Sequence, residues 1–219
     1  MSFDFQLLLD VWPTLLAGLQ LNFLLTLLAT LGGILLGVVL ALMRISRSRI
    51  FRGVGTVYVD FFRAMPLILV IFWFYFLAPV VLGRPVGGFF SVLIAFTMFE
   101  AAYFCEIIRG GIMGIPNGQM QAAMATGLTR WQSMRHVILP QVFRNMLPVL
   151  MTQTIILFQD TSLVYIVGLY DFVTTSSIVA SREGRLVEIY VFVAVVFFII
   201  CGLASWAVQR VAVGKERRT

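Results

Sequence analysis

Five ionisable side chains lie within or beside long uncharged stretches of this sequence: Asp60, Arg63, Glu100, Glu106 and Asp160. Burying a charge in an apolar environment costs free energy, so such residues mark candidate binding sites. A guanidinium suits a carboxylate and a carboxylate suits an ammonium, so Arg63 and Asp160 together match a zwitterionic ligand. The structural alternatives are that Arg63 pairs with Asp60 or Glu100, and that Asp160 caps a segment beginning at Thr161.

The composition of the chain indicates a polytopic membrane protein. Of its 219 residues, 60% are hydrophobic and 12% are charged, and the mean hydropathy is +0.98. These values exclude an ordinary soluble enzyme, a disordered protein and a secreted disulfide scaffold. Cys105 and Cys201 both lie in apolar stretches, and with the single histidine, His136, they offer too few ligands for a zinc site.

Five apolar stretches are candidate membrane spans, since a spanning helix needs about 20 mostly apolar residues. They cover residues 11–43, 64–82, 85–108, 145–159 and 189–209. A semi-polar segment, 53–63, leads into the second stretch. Segment 161–170 is apolar enough to leave the number of spans open. We therefore predict an all-α fold in which residues 1–219 form a single transmembrane domain with about five spanning helices.

The basic residues predict the orientation in the membrane. Lys and Arg number 16 against 10 Asp and Glu. Most of the basic residues lie in segments 44–53, 109–144 and 210–218, between or after apolar runs, which fits the positive-inside rule better than nucleic-acid binding. With five spans these three segments share one side, which we predict to be cytoplasmic. The N-terminus then lies outside and the C-terminus lies inside.

Residues 110–140 form a long cytoplasmic segment between two predicted spans. A helical stretch at 120–125 is bounded by turn signals at 115–118 and 139–140. Gly127 permits a sharp bend because it lacks a Cβ atom, so a second helix can restart near 129–135 at an angle to the first. The segment is either a lid packed on the bundle or a docking platform for a cytoplasmic protein.

The same segment resembles the EAA loop of ABC importer permeases, in which Glu-Ala-Ala is followed by a glycine and later by Leu-Pro. Here Gln121 replaces the glutamate, and Ala122, Ala123, Gly127 and Pro140 keep the pattern. Segments 62–67, 102–119 and 159–163 resemble, in the same order, those of the permeases for polar amino acids. Together these motifs cover roughly residues 50–170, and 145–164 is most similar to the glutamate/aspartate permeases.

This resemblance implies a type I ABC importer permease for polar amino acids, with glutamate or aspartate as the expected substrate and glutamine as an alternative. It implies a substrate site near the middle of the membrane that uses Arg63 and Asp160. Helical geometry allows both to reach the middle or outer half of the bilayer, and Thr161 and Ser162 add hydrogen-bond donors. It also implies a specificity role for Gln153, which lies on the helical face of Asp160 and offers a neutral amide to an acidic or amide side chain.

The resemblance further implies a set of partners. Five residues are expected to couple the chain to ATPase subunits: Gln121, Ala122, Ala123, Gly127 and Arg130. The sequence contains no G-x-x-x-x-G-K-[ST] motif, so we expect no cofactor in this chain and place ATP and Mg²⁺ on a partner ATPase dimer. A second permease subunit, identical or different, and an extracytoplasmic solute-binding protein complete the assembly in a bacterial cytoplasmic membrane.

Four residues are expected to act structurally. Glu106 and Arg109 are placed to form an ion pair at i, i+3. Pro66 is expected to break the helix after Arg63 and expose polar backbone, and Pro140 is expected to begin the fourth span.

Two other functions remain open at this point. A secondary amino-acid transporter is the first alternative, although five spans are too few for an inverted repeat and the sequence contains no internal repeat. A membrane scaffold without transport is the second, but it would leave Arg63 and Asp160 unexplained.

Overall fold

The computed structural model describes residues 5–216, with side chains from Asp10 to Arg210 and at Ala212. This part of the chain is helical and contains no strand. The α-helices are α1 (Phe5–Ile45), α2 (Arg49–Arg63), α3 (Leu67–Phe72), α4 (Ala78–Leu82), α5 (Gly88–Met113), α6 (Asn117–Ala125), α7 (Arg130–Ser133), α8 (Leu139–Asp160), α9 (Phe172–Glu183) and α10 (Leu186–Glu216). Two π-helical turns, Trp73–Leu77 and Met134–Ile138, and one 3-10 helix, Thr161–Val167, lie between them.

The spans agree with the sequence prediction. Four helical stretches in the described residues are long and apolar enough to cross a membrane, and the bent pair formed by α2 and 67–82 gives up to 5 spans. Segment 161–170 does not add a span. It forms the 3-10 helix Thr161–Val167 and a turn at Gly168, whose φ of 72° places it in the left-handed region.

Helices α1 and α5 run parallel and in close contact along a seam of glycines. A Cβ atom on Gly32 would meet Thr97, and one on Gly33 would meet Phe104. On Gly37 it would lie 2.9 Å from Cβ of Phe104 and 3.1 Å from the backbone nitrogen of Cys105. Small residues allow helix backbones to approach closely in a membrane, where packing rather than hydrophobicity drives association. The α1–α5 seam therefore forms the centre of the bundle.

The directions of the other long helices follow from their contacts. Helix α8 runs antiparallel to α5, because Met146 packs on Gly111 and Gln153 contacts Glu100. Helix α10 runs parallel to α1: Trp12 stacks edge-on against Phe192 near the start of both helices, and a shared cleft brings residues 23–30 to residues 200–204. The ends of α1, α5 and α10 thus lie on one side of the bundle. Of the predicted basic segments, Arg217 and Arg218 lie outside the described residues.

The chain bends by 106° between α2 and the helix that begins at Leu67. Pro66 has no backbone N–H and disfavours a helical conformation at the residue before it, so α2 ends at Arg63. This confirms the predicted break at Pro66. The position of α2 directly before the second apolar stretch suggested a straight helix through both. The bend shows instead that α2 and that stretch point in different directions.

Both π-helical turns in the described chain end two residues before a proline. Pro79 follows the turn Trp73–Leu77, and Pro140 follows the turn Met134–Ile138. Proline cannot donate to the carbonyl four residues earlier and its ring clashes with that carbonyl, and a wider π turn relieves the conflict. Pro140 lies in the first turn of α8 as predicted. The helical path is nevertheless unbroken from α7 through the π turn into α8.

The segment 110–140 has the predicted angular shape. Helix α6 is followed by Gly127, whose φ of 90° is accessible to glycine but strained for other residues. Thr129 then caps α7 in a capping box: its hydroxyl accepts from the backbone N–H of Gln132, and its own backbone N–H donates to the Gln132 side chain. The local sequence therefore fixes both the bend and the restart of the helix.

The glycine seam yields a stability prediction. We expect Gly37→Ala to lower the free energy of unfolding by about 1–3 kcal/mol, the usual cost of overpacking, because the new methyl group meets backbone atoms of α5 that cannot rotate away. Gly202→Ala is the matched control, since a Cβ atom on Gly202 in α10 meets nothing within 4 Å. Thermal unfolding in detergent measures both. Equal stability of the two variants would contradict the close packing of α1 on α5.

Candidate functional site

A buried acid at the α5–α8 contact forms the centre of the polar interior. Glu100 on α5 is only 1% exposed. Both of its carboxylate oxygens accept from Nε2 of Gln153 on α8, at 3.1 and 3.3 Å. Among the described residues, Oε1 of Gln153 has no hydrogen-bond partner. The amide thus holds Glu100 through its donor and leaves its carbonyl oxygen available as an acceptor.

Asp160 is the last residue of α8. It lies seven residues beyond Gln153, roughly 10 Å along the helix axis and on the same face. Within the described residues its carboxylate accepts no hydrogen bond and forms no ion pair. An accessible, unpaired carboxylate at this depth is suited to a cationic group of a ligand.

The two residues after Asp160 face different surroundings. Ser162 is partly exposed, and its hydroxyl donates to the backbone oxygen of Gln159 at 2.8 Å. Thr161 is fully buried, donates to the backbone oxygen of Phe158 at 2.6 Å and accepts from Asn22 at 2.7 Å. The prediction that Thr161 offers a donor to a ligand is therefore wrong, because its hydroxyl is already committed inside the bundle.

Arg63 lies at a different depth from Asp160. Its guanidinium is 3.9 Å from Oε1 of Glu106 and 5.7 Å from the ring centroid of Tyr103. Glu106 is six residues from Glu100 on α5, and Asp160 lies beyond Gln153 in the opposite direction, so the two levels are roughly 20 Å apart. Within one chain the predicted Arg63–Asp160 pair is therefore not formed, because the chain bends by 106° after α2 and Arg63 lies beside Glu106.

Glu106 is the meeting point of three arginines from three helices. The predicted pair with Arg109 is present, with Nη2 of Arg109 2.7 Å from Oε2. Arg44, at the end of α1, pairs with the other oxygen, and Arg63, at the end of α2, approaches it. The structural alternative supposed that Arg63 pairs with Asp60 or Glu100. Within the described residues it pairs with neither of them and approaches Glu106 instead. We call Glu106 and its three arginines the Glu106 cluster.

The coupling residues predicted in segment 110–140 divide into two groups. Gln121, Ala122, Gly127 and Arg130 are exposed, as a docking surface requires, whereas Ala123 is buried against the bundle. Ala123 is therefore wrongly placed in the docking surface, because α6 packs one face on the protein. Two apolar side chains that were not predicted are exposed beside the bend: Trp131 at 70% and Met124 at 48%. In the sequence, a tryptophan within a mostly polar segment could have indicated this exposed apolar surface.

A family model described as "Binding-protein-dependent transport system inner membrane component" matches residues 33–217. The chain belongs to this family. It is a permease subunit, which agrees with its spanning helices and its exposed angular segment.

Two curated relatives are similar to this chain along most of its length. The permease is 45% identical over 215 residues to the glutamate/aspartate import permease protein GltK of Escherichia coli O6:H1, covering 95% of this chain and 96% of that protein. It is 34% identical over 195 residues to the probable glutamine ABC transporter permease protein GlnM of Bacillus subtilis, covering 89% and 90%.

Solved structures agree with this fold. The permease matches a chain from the crystal structure of an amino acid ABC transporter with histidines at a TM-score of 0.89 and 30% identity, covering 100% of both chains. An inward-facing structure of the MetNI methionine ABC transporter matches at a TM-score of 0.67 and 23% identity, covering 96% and 97%. The second match supports the fold alone.

The Glu106 cluster gives the permease a second stability prediction. We expect Glu106→Gln to lower the free energy of unfolding by about 3 kcal/mol, because breaking a largely buried ion pair leaves uncompensated charge. Adding Arg44→Met should restore part of the loss. The control is Arg182→Gln, since Arg182 lies 3.8 Å from Glu183 with its side chain 84% exposed. Melting temperatures in detergent measure all three variants. A Glu106→Gln variant as stable as the parent would contradict a structural role for the cluster.

Proposed function

We propose that this permease is the translocation subunit of an ATP-driven importer for glutamate and aspartate. The observation that carries the proposal is the 45% identity to a glutamate/aspartate import permease along nearly the whole of both chains. The arrangement of charge inside the bundle is consistent with an amino-acid substrate, since the acid Asp160 and the base Arg63 lie at different levels. Gln153, at the position expected to influence selectivity, is neutral.

The proposed substrate site contains Asp160 and Arg63 at two successive levels along the translocation path. Asp160 and the carbonyl oxygen of Gln153 are acceptors suited to the ammonium group of the substrate. Ser162 lies beside Asp160, and because its hydroxyl already donates to the backbone oxygen of Gln159, it is available to a ligand only as an acceptor. Arg63 lies nearer the end that carries the basic segments, where its side chain is 45% exposed, and a guanidinium there suits the carboxylates of an acidic amino acid. A substrate therefore meets Asp160 first and Arg63 last on its way inward.

The energy for transport comes, in this proposal, from ATP and Mg²⁺ bound to a cytoplasmic ATPase dimer. The exposed surface formed by Gln121, Ala122, Met124, Arg130 and Trp131 would dock on that dimer. Trp131 and Met124 provide apolar contact area, and tryptophan is prominent among residues that dominate interface energies. The bend at Gly127 makes this surface project from the bundle.

Two further proteins complete the proposed assembly. A second permease subunit, identical or different, would complete the translocation path, and an extracytoplasmic solute-binding protein would deliver the substrate. The basic residues at the shared ends of α1, α5 and α10 support a cytoplasmic position for that side of the bundle. The C-terminus is then cytoplasmic, the N-terminus lies outside, and the protein is located in a bacterial cytoplasmic membrane.

Uptake by the reconstituted complex tests the function. We expect radiolabelled glutamate to enter proteoliposomes only when ATP is enclosed and a glutamate-loaded binding protein is outside, because the permease has no energy source of its own. Unlabelled aspartate should compete, whereas arginine should not. Proteoliposomes with a sodium or proton gradient and no ATP are the control. Uptake driven by the gradient alone would show a secondary transporter and overturn the proposal.

The docking surface yields a separate prediction. We expect Trp131→Ala to weaken binding of the ATPase dimer about tenfold or more, the loss typical of an interface hot spot, while the permease remains folded. Trp206→Ala is the matched control, because Trp206 is also exposed but lies on α10 within a membrane span. Titration of purified ATPase against immobilised permease measures both affinities. Unchanged binding by the Trp131 variant would remove this surface from the interface.

A further inference from the structure

Asn22 is an amide buried in the middle of a membrane-spanning helix. It lies in α1 and is fully buried. An amide removed from water costs free energy unless its donors and acceptor are satisfied. Apolar residues flank it on both sides in the sequence, so its contacts must come from other helices. Nothing in the sequence spacing marked it as important.

The Asn22 side chain joins α1 to two distant segments. Its Nδ2 donates to Oγ1 of Thr161 at 2.7 Å and lies 3.4 Å from Oδ2 of Asp171. Its Oδ1 accepts from the backbone N–H of Phe172 at 2.9 Å. One amide therefore connects the end of α8 and the start of α9 to the first span. Every polar atom of this side chain has a protein partner.

The start of α9, which shares this amide with Thr161, is itself held firmly in place. Asp171 caps α9 by accepting from the backbone N–H groups of Val173 at 3.1 Å and Thr174 at 3.0 Å. Gly18, one turn before Asn22 on α1, packs directly against the start of α9, because a Cβ atom on Gly18 would be 2.7 Å from the Asp171 carbonyl carbon. Asn22 therefore cannot shift without disturbing a packed contact. Its hydrogen bond to Thr161 therefore holds the end of α8 in a fixed position relative to α1.

Thr161 transmits this constraint to Asp160. Its hydroxyl accepts from Asn22 and donates to the backbone oxygen of Phe158 at 2.6 Å, so its side chain is locked toward α1. Successive residues of a helix point about 100° apart. Because Thr161 is locked toward α1, the side chain of Asp160, the residue before it, is directed away from α1. The helix changes from α to 3-10 at this same point.

We infer that Asn22 is a positioning residue for substrate binding, which holds the Asp160 carboxylate toward the ligand through its hydrogen bond to Thr161. The inference rests on the proposed function, because it assumes that Asp160 contacts the substrate. Asn22 itself is buried and touches no ligand. Its effect on the substrate passes through Thr161 and the end of α8.

Equilibrium binding of radiolabelled glutamate to the purified permease–ATPase complex tests this inference. We expect Thr161→Val, which keeps the shape but removes the hydroxyl, to weaken affinity about fivefold, the effect of one neutral hydrogen bond. Asn22→Ala should weaken it at least as much. Because the two side chains form the two ends of one bond, the double variant should bind no more weakly than Asn22→Ala.

Two variants serve as controls for this measurement. Thr161→Ser keeps the hydroxyl and should bind as the parent does. Thr26→Val removes a buried hydroxyl one turn along α1 from Asn22, where it donates only to the Asn22 backbone oxygen, and it should also bind normally. Affinity is expressed per assembled complex after gel filtration, with melting temperature measured in parallel, so that misfolding is not counted as weak binding.

The outcomes separate the inference from the proposed site. Asp160→Asn is included as the reference and should abolish measurable binding. If it does while Thr161→Val and Asn22→Ala retain parental affinity per complex, Asn22 is merely structural and the inference is overturned. If Asp160→Asn itself binds as the parent does, the proposed substrate site fails, and the inference fails with it.

Discussion

A charge inside a membrane bundle must be compensated by an opposite charge, by hydrogen bonds or by water, and this constraint organises the permease. The Glu106 cluster satisfies it where three helices meet. Arg44 lies in the last turn of α1, Arg63 ends α2, and Arg109 lies one turn after Glu106 on α5. Each arginine reaches the carboxylate only if its helix ends or passes at that level. The bend at Pro66 and the close α1–α5 seam are therefore parts of the same arrangement.

The same constraint distinguishes the acids of the interior by their roles. Glu106 is surrounded by guanidinium groups, and Glu100 is held by the amide of Gln153. Asp160 has neither kind of partner in the described part of the chain. An acid whose compensation is complete contributes to the framework, whereas an acid without compensation is available to a ligand. Sequence reasoning assigned Glu106 to an ion pair and Asp160 to the substrate, but it did not identify the amide that holds Glu100, because Gln153 comes from another helix.

The features predicted correctly from the sequence depend on local patterns. Apolar run length predicted the spans, Gly127 predicted the bend of the exposed segment, and the i, i+3 spacing predicted the Glu106–Arg109 pair. Each of these is decided by residues within one or two turns of each other. The motifs of the exposed segment also predicted its position, although not which face of α6 is turned inward at Ala123.

The features that were missed depend on contacts between distant segments. Asn22 and Thr161 are separated by 139 positions, and Arg44 approaches Glu106 from another helix. The separation of Arg63 from Asp160 follows from a bend whose angle is set by packing, although the proline that causes it was recognised. Hydrophobic periodicity carries no information about such pairings in a chain where nearly every span is apolar on all sides.

The unbroken helical path from Arg130 to Val167 has a mechanical consequence. Its 38 residues form a rod that begins beside the exposed Trp131 and ends in the segment held by Asn22. A push on one end of a rigid rod is felt at the other without a flexible joint between them. The path also contains the π turn Met134–Ile138, shortly before Pro140. The permease thus has one continuous helical path that connects its exposed angular segment to the residues anchored on the first helix by Asn22.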